Sequence, residues 1–215
     1  MCFAFRATSI YCLTTCLALA APIMVEERVG ILRTDSGDSC VGTLIGDEVV
    51  LTAAHCLFDA KQQPVEPKKI TYHRGGYNPI RGSTILSHPK FSPKQSTSIE
   101  SIEFDIAVVY LEHPAGIIST IPVGDLVNSG DAVRVLRYDS KRSLKCEIVD
   151  MTSAVFTLDC VITAGDSGAP VITANDAGDF CILGVISAYE TAGKSHTAIA
   201  TSLDNFFKKL ISSMK

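Results

Sequence analysis

The sequence has no apolar run long enough to cross a bilayer, no basic tract, no C-x-x-C pair and no extended helical periodicity. Each absence removes a class of protein. A spanning helix needs about 20 consecutive apolar residues, and the stretch from Ile10 to Ala21 is shorter than that. Lysines and arginines are scattered, with nothing beyond pairs such as Lys68-Lys69 and Lys208-Lys209, and the net charge is -4. Nucleic acids and anionic membrane surfaces select clustered positive charge, so neither is an expected partner. Without C-x-x-C spacing a structural zinc site is not expected, and nothing else calls for a metal or an organic cofactor. The missing helical pattern disfavours strands joined by helical crossovers.

What is present begins with the N-terminus. Arg6 precedes the apolar run, which ends in "LALAAP" with Ala18 and Ala20 at A-x-A spacing. This is the pattern of a secretory signal peptide over residues 1–20, leaving a mature domain over 22–215 with no stable membrane insertion. The expected location is secreted or periplasmic. Cleavage removes Cys2, Cys12 and Cys16 and leaves Cys40, Cys56, Cys146, Cys160 and Cys181. An exported chain meets oxidising conditions, so two bridges and one spare thiol are expected. Cys181 lies in the apolar "FCILGVIS" and reads as a buried, inert thiol.

Segments rich in Val, Ile, Leu and Thr recur between Gly, Pro, Asp, Asn and Ser. Twelve strands are expected: 29–33, 41–45, 49–53, 69–74, 83–88, 106–111, 133–138, 145–151, 154–160, 170–174, 180–189 and 197–201. They divide six and six about Pro114 to Gly124. The fold class is therefore all-β: two six-stranded antiparallel barrels, one over about 28–113 and the other over about 123–201. A helix over 202–213 follows, because Leu203, Phe206, Phe207, Leu210, Ile211 and Met214 share one face. Thr201 or Ser202 would cap it. In the 145–160 hairpin, a turn centred on Ser153 puts Cys146 and Cys160 opposite each other, each seven residues removed. The spacing predicts a cross-strand bridge between them.

Three further segments carry chemistry. "LTAAHC" puts His55 at a strand end, "FDIAVVYL" puts Asp105 at a strand start, and "GDSGAP" puts Ser167 in a glycine-bounded turn. A serine hydroxyl becomes a nucleophile when a base takes its proton, and the base needs a third group to orient it. Histidine is the natural base near neutral pH. Attack on a carbonyl creates an oxyanion that needs two donors, which the N–H groups of Gly165 and Ser167 can supply. The G-x-S-x-G elbow of another hydrolase class is missing, since Ala169 holds its last position, and the order His, Asp, Ser also differs from that class. His73, His88, His113 and His196 read as structural.

On these residues, with "VGILRTDSGDSCVGTLI" before "LTAAHC", "SHPKF" before "DIAVVYL" and "GVIS" after "GDSGAP", the chain resembles the trypsin/chymotrypsin-type serine proteases over residues 28 to 210. Within them it looks most similar to compact bacterial secreted members, the glutamyl-endopeptidase-like group. The resemblance implies a triad of Ser167 as nucleophile, His55 as base and Asp105 as its orienter, an oxyanion hole at Gly165 and Ser167, and a Cys40–Cys56 bridge. It implies a substrate-binding wall of Val161, Ile162, Ser187, Ala188 and Tyr189, with protein or peptide substrates, no cofactor and a monomeric enzyme. Val161 stands where trypsins carry aspartate, and Ile186 where glutamyl endopeptidases carry histidine. A small or medium apolar residue before the cut bond is therefore expected. Asp166 lacks the usual N-terminal partner, for which Arg134 or a processed N-terminus could substitute. The rival expectation is a catalytically silent protease-fold binding protein.

Overall fold

The computed structural model describes residues 25–95, 99–116, 120–124, 127–138, 143–152, 154–174, 179–192 and 195–213. The signal segment expected over 1–20 lies outside the described residues. Twelve strands form two closed barrels. The first comprises β1 (Val29–Thr34), β2 (Ser39–Leu44), β3 (Val49–Thr52), β4 (Ile70–His73), β5 (Ile80–Ser87) and β6 (Ala107–Leu111). The second comprises β7 (Ala132–Leu136), β8 (Ser143–Met151), β9 (Val155–Leu158), β10 (Pro170–Ala174), β11 (Phe180–Ala192) and β12 (Ser195–Ser202). Their neighbour orders, β1-β2-β3-β6-β5-β4 and β7-β8-β9-β12-β11-β10, are the same path taken twice.

β3 and β6 show why two barrels share one body. Val50, Ala107, Val109 and Leu111 pack inside the first barrel with Leu32, Ile70 and Tyr72. The alternate residues Val49, Leu51, Ile106 and Val108 join the core that continues into the second barrel. Side chains alternate across a strand, so a strand covered on both faces becomes apolar at every position, as "VVL" and "IAVV" are. Asp105 lies two residues before β6 and is 1% exposed.

The hairpin register obeys the spacing argument where it matters. Ile148 faces Leu158, equidistant from Ser153, and Cys146 and Cys160 are joined with Cα atoms 5.3 Å apart. A bulge between Ile148 and Asp150 then shifts the pairing by one residue toward the turn. Two elements differ from expectation. A one-turn helix, α1 (Ile99–Ile102), precedes Asp105, too short to leave a periodic signal. The terminal helix α2 runs Asn205–Ser212 and is capped by Asp204, whose carboxylate accepts from the Phe207 N–H at 2.9 Å. Thr201 and Ser202 cannot cap it because they close β12. His88, read as structural, is buried against this cap. Its Nε2 lies 3.1 Å from Asp204 Oδ2, and its ring stacks on Phe104 at 4.8 Å.

Candidate active site

The chain brings His55 and Asp105 into direct contact. β3 ends at Thr52, and a single 3-10 turn over Ala54–Leu57 presents His55. α1 ends beside Asp105, whose N–H donates to the Ile102 carbonyl at 3.1 Å. That carbonyl also accepts from Thr201 Oγ1 of β12 at 2.6 Å, tying the aspartate's segment to the second barrel. Asp105 Oδ1 accepts the His55 backbone N–H at 2.7 Å, and Oδ2 accepts from Nδ1 at 2.6 Å. Ser187 Oγ donates to the same Oδ2 across the seam between barrels. Three donors satisfy a buried carboxylate that would otherwise be costly to keep ionised.

This arrangement fixes the imidazole. With Nδ1–H committed to Asp105, the lone pair of neutral His55 sits on Nε2, the ring edge that can take a proton from elsewhere. Burial alone would lower the His55 pKa, but the hydrogen bond and charge of Asp105 outweigh it, and the net shift is upward.

Ser167 is anchored to the strand that also anchors the histidine turn. Its carbonyl accepts the Val41 N–H at 2.8 Å, and the Val41 carbonyl accepts from Thr52 Oγ1 at 2.8 Å. The neighbouring Cys40 is bridged to Cys56, next to His55, with Cα atoms 6.1 Å apart. Gly168 has φ +81°, and a Cβ there would stand 2.2 Å from the Val41 carbonyl and 2.3 Å from Thr52 Oγ1. Only glycine lets the turn press this closely against β2 and β3. Gly165, at φ +95°, adopts the left-handed backbone that favours glycine.

Asp166 is held by a cation, though Arg134 is not the one. Arg137 Nε donates to Asp166 Oδ1 at 2.8 Å and its Nη2 to Thr163 Oγ1 at 2.9 Å. Asp166 Oδ2 accepts the Thr163 N–H at 2.7 Å and Thr163 Oγ1 at 3.1 Å. Arg134 instead pairs with Glu26 at 3.2 Å and donates to Ser143 Oγ at 2.6 and 2.9 Å. β7 stops at Leu136, one residue sooner than Arg137, which therefore leaves the strand and swings to the turn. Arg28 and Val29 are buried, and Val29 pairs with Thr43, so a new N-terminus at Val29 would have to leave β1.

The remaining expected residues separate. Val161 (53% exposed) and Tyr189 (49% exposed) face solvent, Ala188 is half-buried, and Ile162 packs into the core. Ser187 is buried with its hydroxyl on Asp105, so its side chain serves the histidine pair rather than a pocket wall. The His196 side chain lies outside the described residues. Cys40, His55 and Cys56 place ligand-type atoms within 4.8 Å of one another, but the two sulfurs are already bonded together and offer no thiolate to a metal. Arg137 and the Ser187 hydroxyl were missed from the sequence. Arg137 stands in no distinctive motif, and Ser187, though it closes "GVIS", carries no local sign of the carboxylate its hydroxyl reaches.

Paired six-stranded barrels with a buried aspartate holding a histidine define the chymotrypsin-like class of fold. Residues 20–210 match the family model described as Trypsin, and the chain belongs to the trypsin family. It is 29% identical over 115 residues to Trypsin-4 of Rattus norvegicus, an alignment covering 54% of this chain and 42% of that protein. It is 28% identical over 102 residues to Trypsin beta of Drosophila erecta, covering 47% and 38%. The matched segments thus span less than half the length of these curated relatives. The findings support the family as a whole and give no support to the bacterial glutamyl-endopeptidase-like subgroup.

Proposed function

We propose that the chain is an exported serine endopeptidase working through an acyl-enzyme intermediate. Ser167 Oγ attacks the carbonyl carbon of a peptide bond while His55 Nε2 takes its proton. The oxyanion is held by the N–H groups of Gly165 and Ser167. The tetrahedral intermediate collapses, the C–N bond breaks, and His55 returns the proton to the departing amine. Water then repeats the sequence on the ester, with His55 again taking and returning one proton. Asp105 stays ionised throughout and steadies the imidazolium.

The observation that carries this reading is the 2.6 Å contact of His55 Nδ1 with a carboxylate that is 1% exposed, in a trypsin-family chain whose "GDSG" turn hangs from the same strand. Two disulfides suit an oxidising compartment, secreted or periplasmic. Val161 offers no charge to a basic side chain, so the preferred residue before the cut bond is small or medium and apolar. The working form is a monomer acting on protein or peptide substrates.

The decisive experiment is labelling with a fluorophosphonate, which reports an activated serine. The native protein is expected to label and Ser167→Ala not to. A native protein that never labels would instead indicate a silent binding protein on a protease fold. Profiling on a mixed peptide library tests the specificity, and a strict preference for Arg, Lys or Glu would refute it.

A further inference from the structure

Arg74 follows β4 and is 8% exposed, yet no carboxylate pairs with it among the described residues. Its guanidinium donates to two neutral acceptors, the Ala115 carbonyl at 2.9 Å and the Glu27 carbonyl at 3.4 Å. Its Cζ lies 3.9 Å from the centre of the Tyr77 ring. A guanidinium carries five N–H donors, so two carbonyls leave most of them unused. A buried charge without a counter-charge is costly. Arg28, itself 4% exposed, adds to the positive field. Burial first, and the charge of Arg74 second, hold the Arg28 pKa below the ordinary guanidinium value.

This cation borders open space. A cavity of about 460 Å³ has Arg74, Val29 and Leu136 on its wall, with the rings of Tyr77 and Tyr138. A smaller one of about 180 Å³ also touches Arg74 and Tyr77. The larger volume suits a small organic molecule. Its other charged residues are engaged or turned to water. Glu26 pairs with Arg134, Arg137 holds Asp166, and the exposed Glu27 gives Arg74 only its backbone carbonyl. The charge left to answer is positive, and the surface beside it is apolar. A carboxylate matches the guanidinium fork with two hydrogen bonds, and Val29 and Leu136 offer an apolar body a dry surface. Arg137 lines the same cavity and clamps Asp166 beside Ser167. A body packed against its stem limits that side chain to the position it holds on Asp166.

We propose that this cavity is an effector site for a small amphipathic carboxylate. The anion sits on Arg74, the apolar body lies against Val29 and Leu136, and binding steadies the Arg137–Asp166 clamp. The effect on activity rests on the endopeptidase reading; the site itself does not. Two sources share this chemistry: a fatty acid, and a peptide chain end with an apolar last residue. The second is the product class that the proposed cleavage preference would release.

The probes are octanoate and N-acetyl-leucine, each compared with its neutral amide. Calorimetric titration of the native protein and of Ser167→Ala should show one saturable site. A Kd on the order of 0.1–1 mM is expected for the acid, with the amide about tenfold weaker. The tighter acid names the source. Arg74→Gln should lose the preference for the acid. Because Arg74 also ties two loops together, Gly75→Phe is the second variant. A Cβ at Gly75 meets no heavy atom within 4 Å, so the ring obstructs the cavity without disturbing the fold. Saturating acid should slow hydrogen exchange at the Thr163 and Asp166 amides, both bonded within the Ser167 turn. It should also raise the fluorophosphonate labelling rate about fivefold. No saturable binding, equal binding of acids and amides, or binding untouched by both variants overturns the site. Binding that moves neither exchange nor labelling overturns the effector role. A protein that binds the acid and slows exchange but never labels keeps the site and sinks the peptidase reading instead.

Discussion

Asp105 and Asp166 invite comparison because they are almost equally buried, 1% and 4% exposed, and each accepts three hydrogen bonds. Their partners differ in kind. Asp105 takes two bonds from His55, which titrates, and one from Ser187 on the opposite barrel. Asp166 takes its bonds from Thr163, three residues away, and from Arg137, whose charge is permanent at any working pH. One carboxylate spans the seam and is coupled to a proton. The other stays within the second barrel and is coupled to a shape, the turn that carries Ser167. Local burial alone would not distinguish them; the chemistry of the donor does.

Asp105→Asn breaks the coupling to the proton and should have the largest effect on turnover. The amide keeps the volume but turns a donor toward Nδ1, so His55 carries its proton on Nε2 and cannot accept one from Ser167. A loss in kcat on the order of 10⁴-fold is expected. The pH profile carries the sign. Activity needs neutral His55, so kcat/KM of the native protein climbs with pH through a value above the ordinary 6.5. In Asp105→Asn the raising partner is gone and burial, which lowers, remains, so the residual activity should rise at lower pH. Stability in denaturant should change far less than turnover.

Arg137→Ala inverts that pattern. It leaves Asp166 ionised and buried without its cation, a loss of about 3–5 kcal/mol in denaturant unfolding. Fluorophosphonate labelling should slow as the turn loosens, with no shift in its pH midpoint. Arg134→Ala, removing a half-exposed pair with Glu26, should cost about 1 kcal/mol or less. If the two substitutions prove equal, the contrast between Asp105 and Asp166 is false.

Each barrel also has one disulfide, closing loops of nearly equal size, with sequence separations of 16 and 14. Replacing either pair by serine should cost about 3 kcal/mol. Activity should separate them: loss of Cys40–Cys56 frees the strand to which both His55 and Ser167 are tied, whereas loss of Cys146–Cys160 leaves kcat/KM of the folded protein nearly unchanged.

The legibility of these features follows their range along the chain. Strands and barrels could be read because alternation and turn residues are local, and the Cys146–Cys160 bridge because a hairpin makes spacing into geometry. His55, Asp105 and Ser167 stood out because each sits in a distinctive short motif. Arg137 did not, because choosing it over Arg134 depends on where β7 ends, a boundary that sequence pattern leaves loose by a few residues. The α2 cap slipped for the same reason, since β12 runs on through Ser202 before the helix begins. Ser187 was placed on the substrate wall, and its bond to Asp105, 82 positions away, has no trace in either local segment.

Ser187→Ala therefore gives the most discriminating effect. It removes one of three donors from Asp105 and no atom from the imidazole. A net hydrogen bond to a charged group is worth about 1.5–3 kcal/mol, and part of this is recovered as His55 tightens its hold, so a loss of roughly tenfold in kcat/KM is expected. With Ser187 gone, less of the Asp105 charge is dispersed and more falls on His55, so the pH midpoint should move up, opposite to Asp105→Asn. A residue acting only as a pocket wall would change the preferred side chain and KM and leave that midpoint where it was.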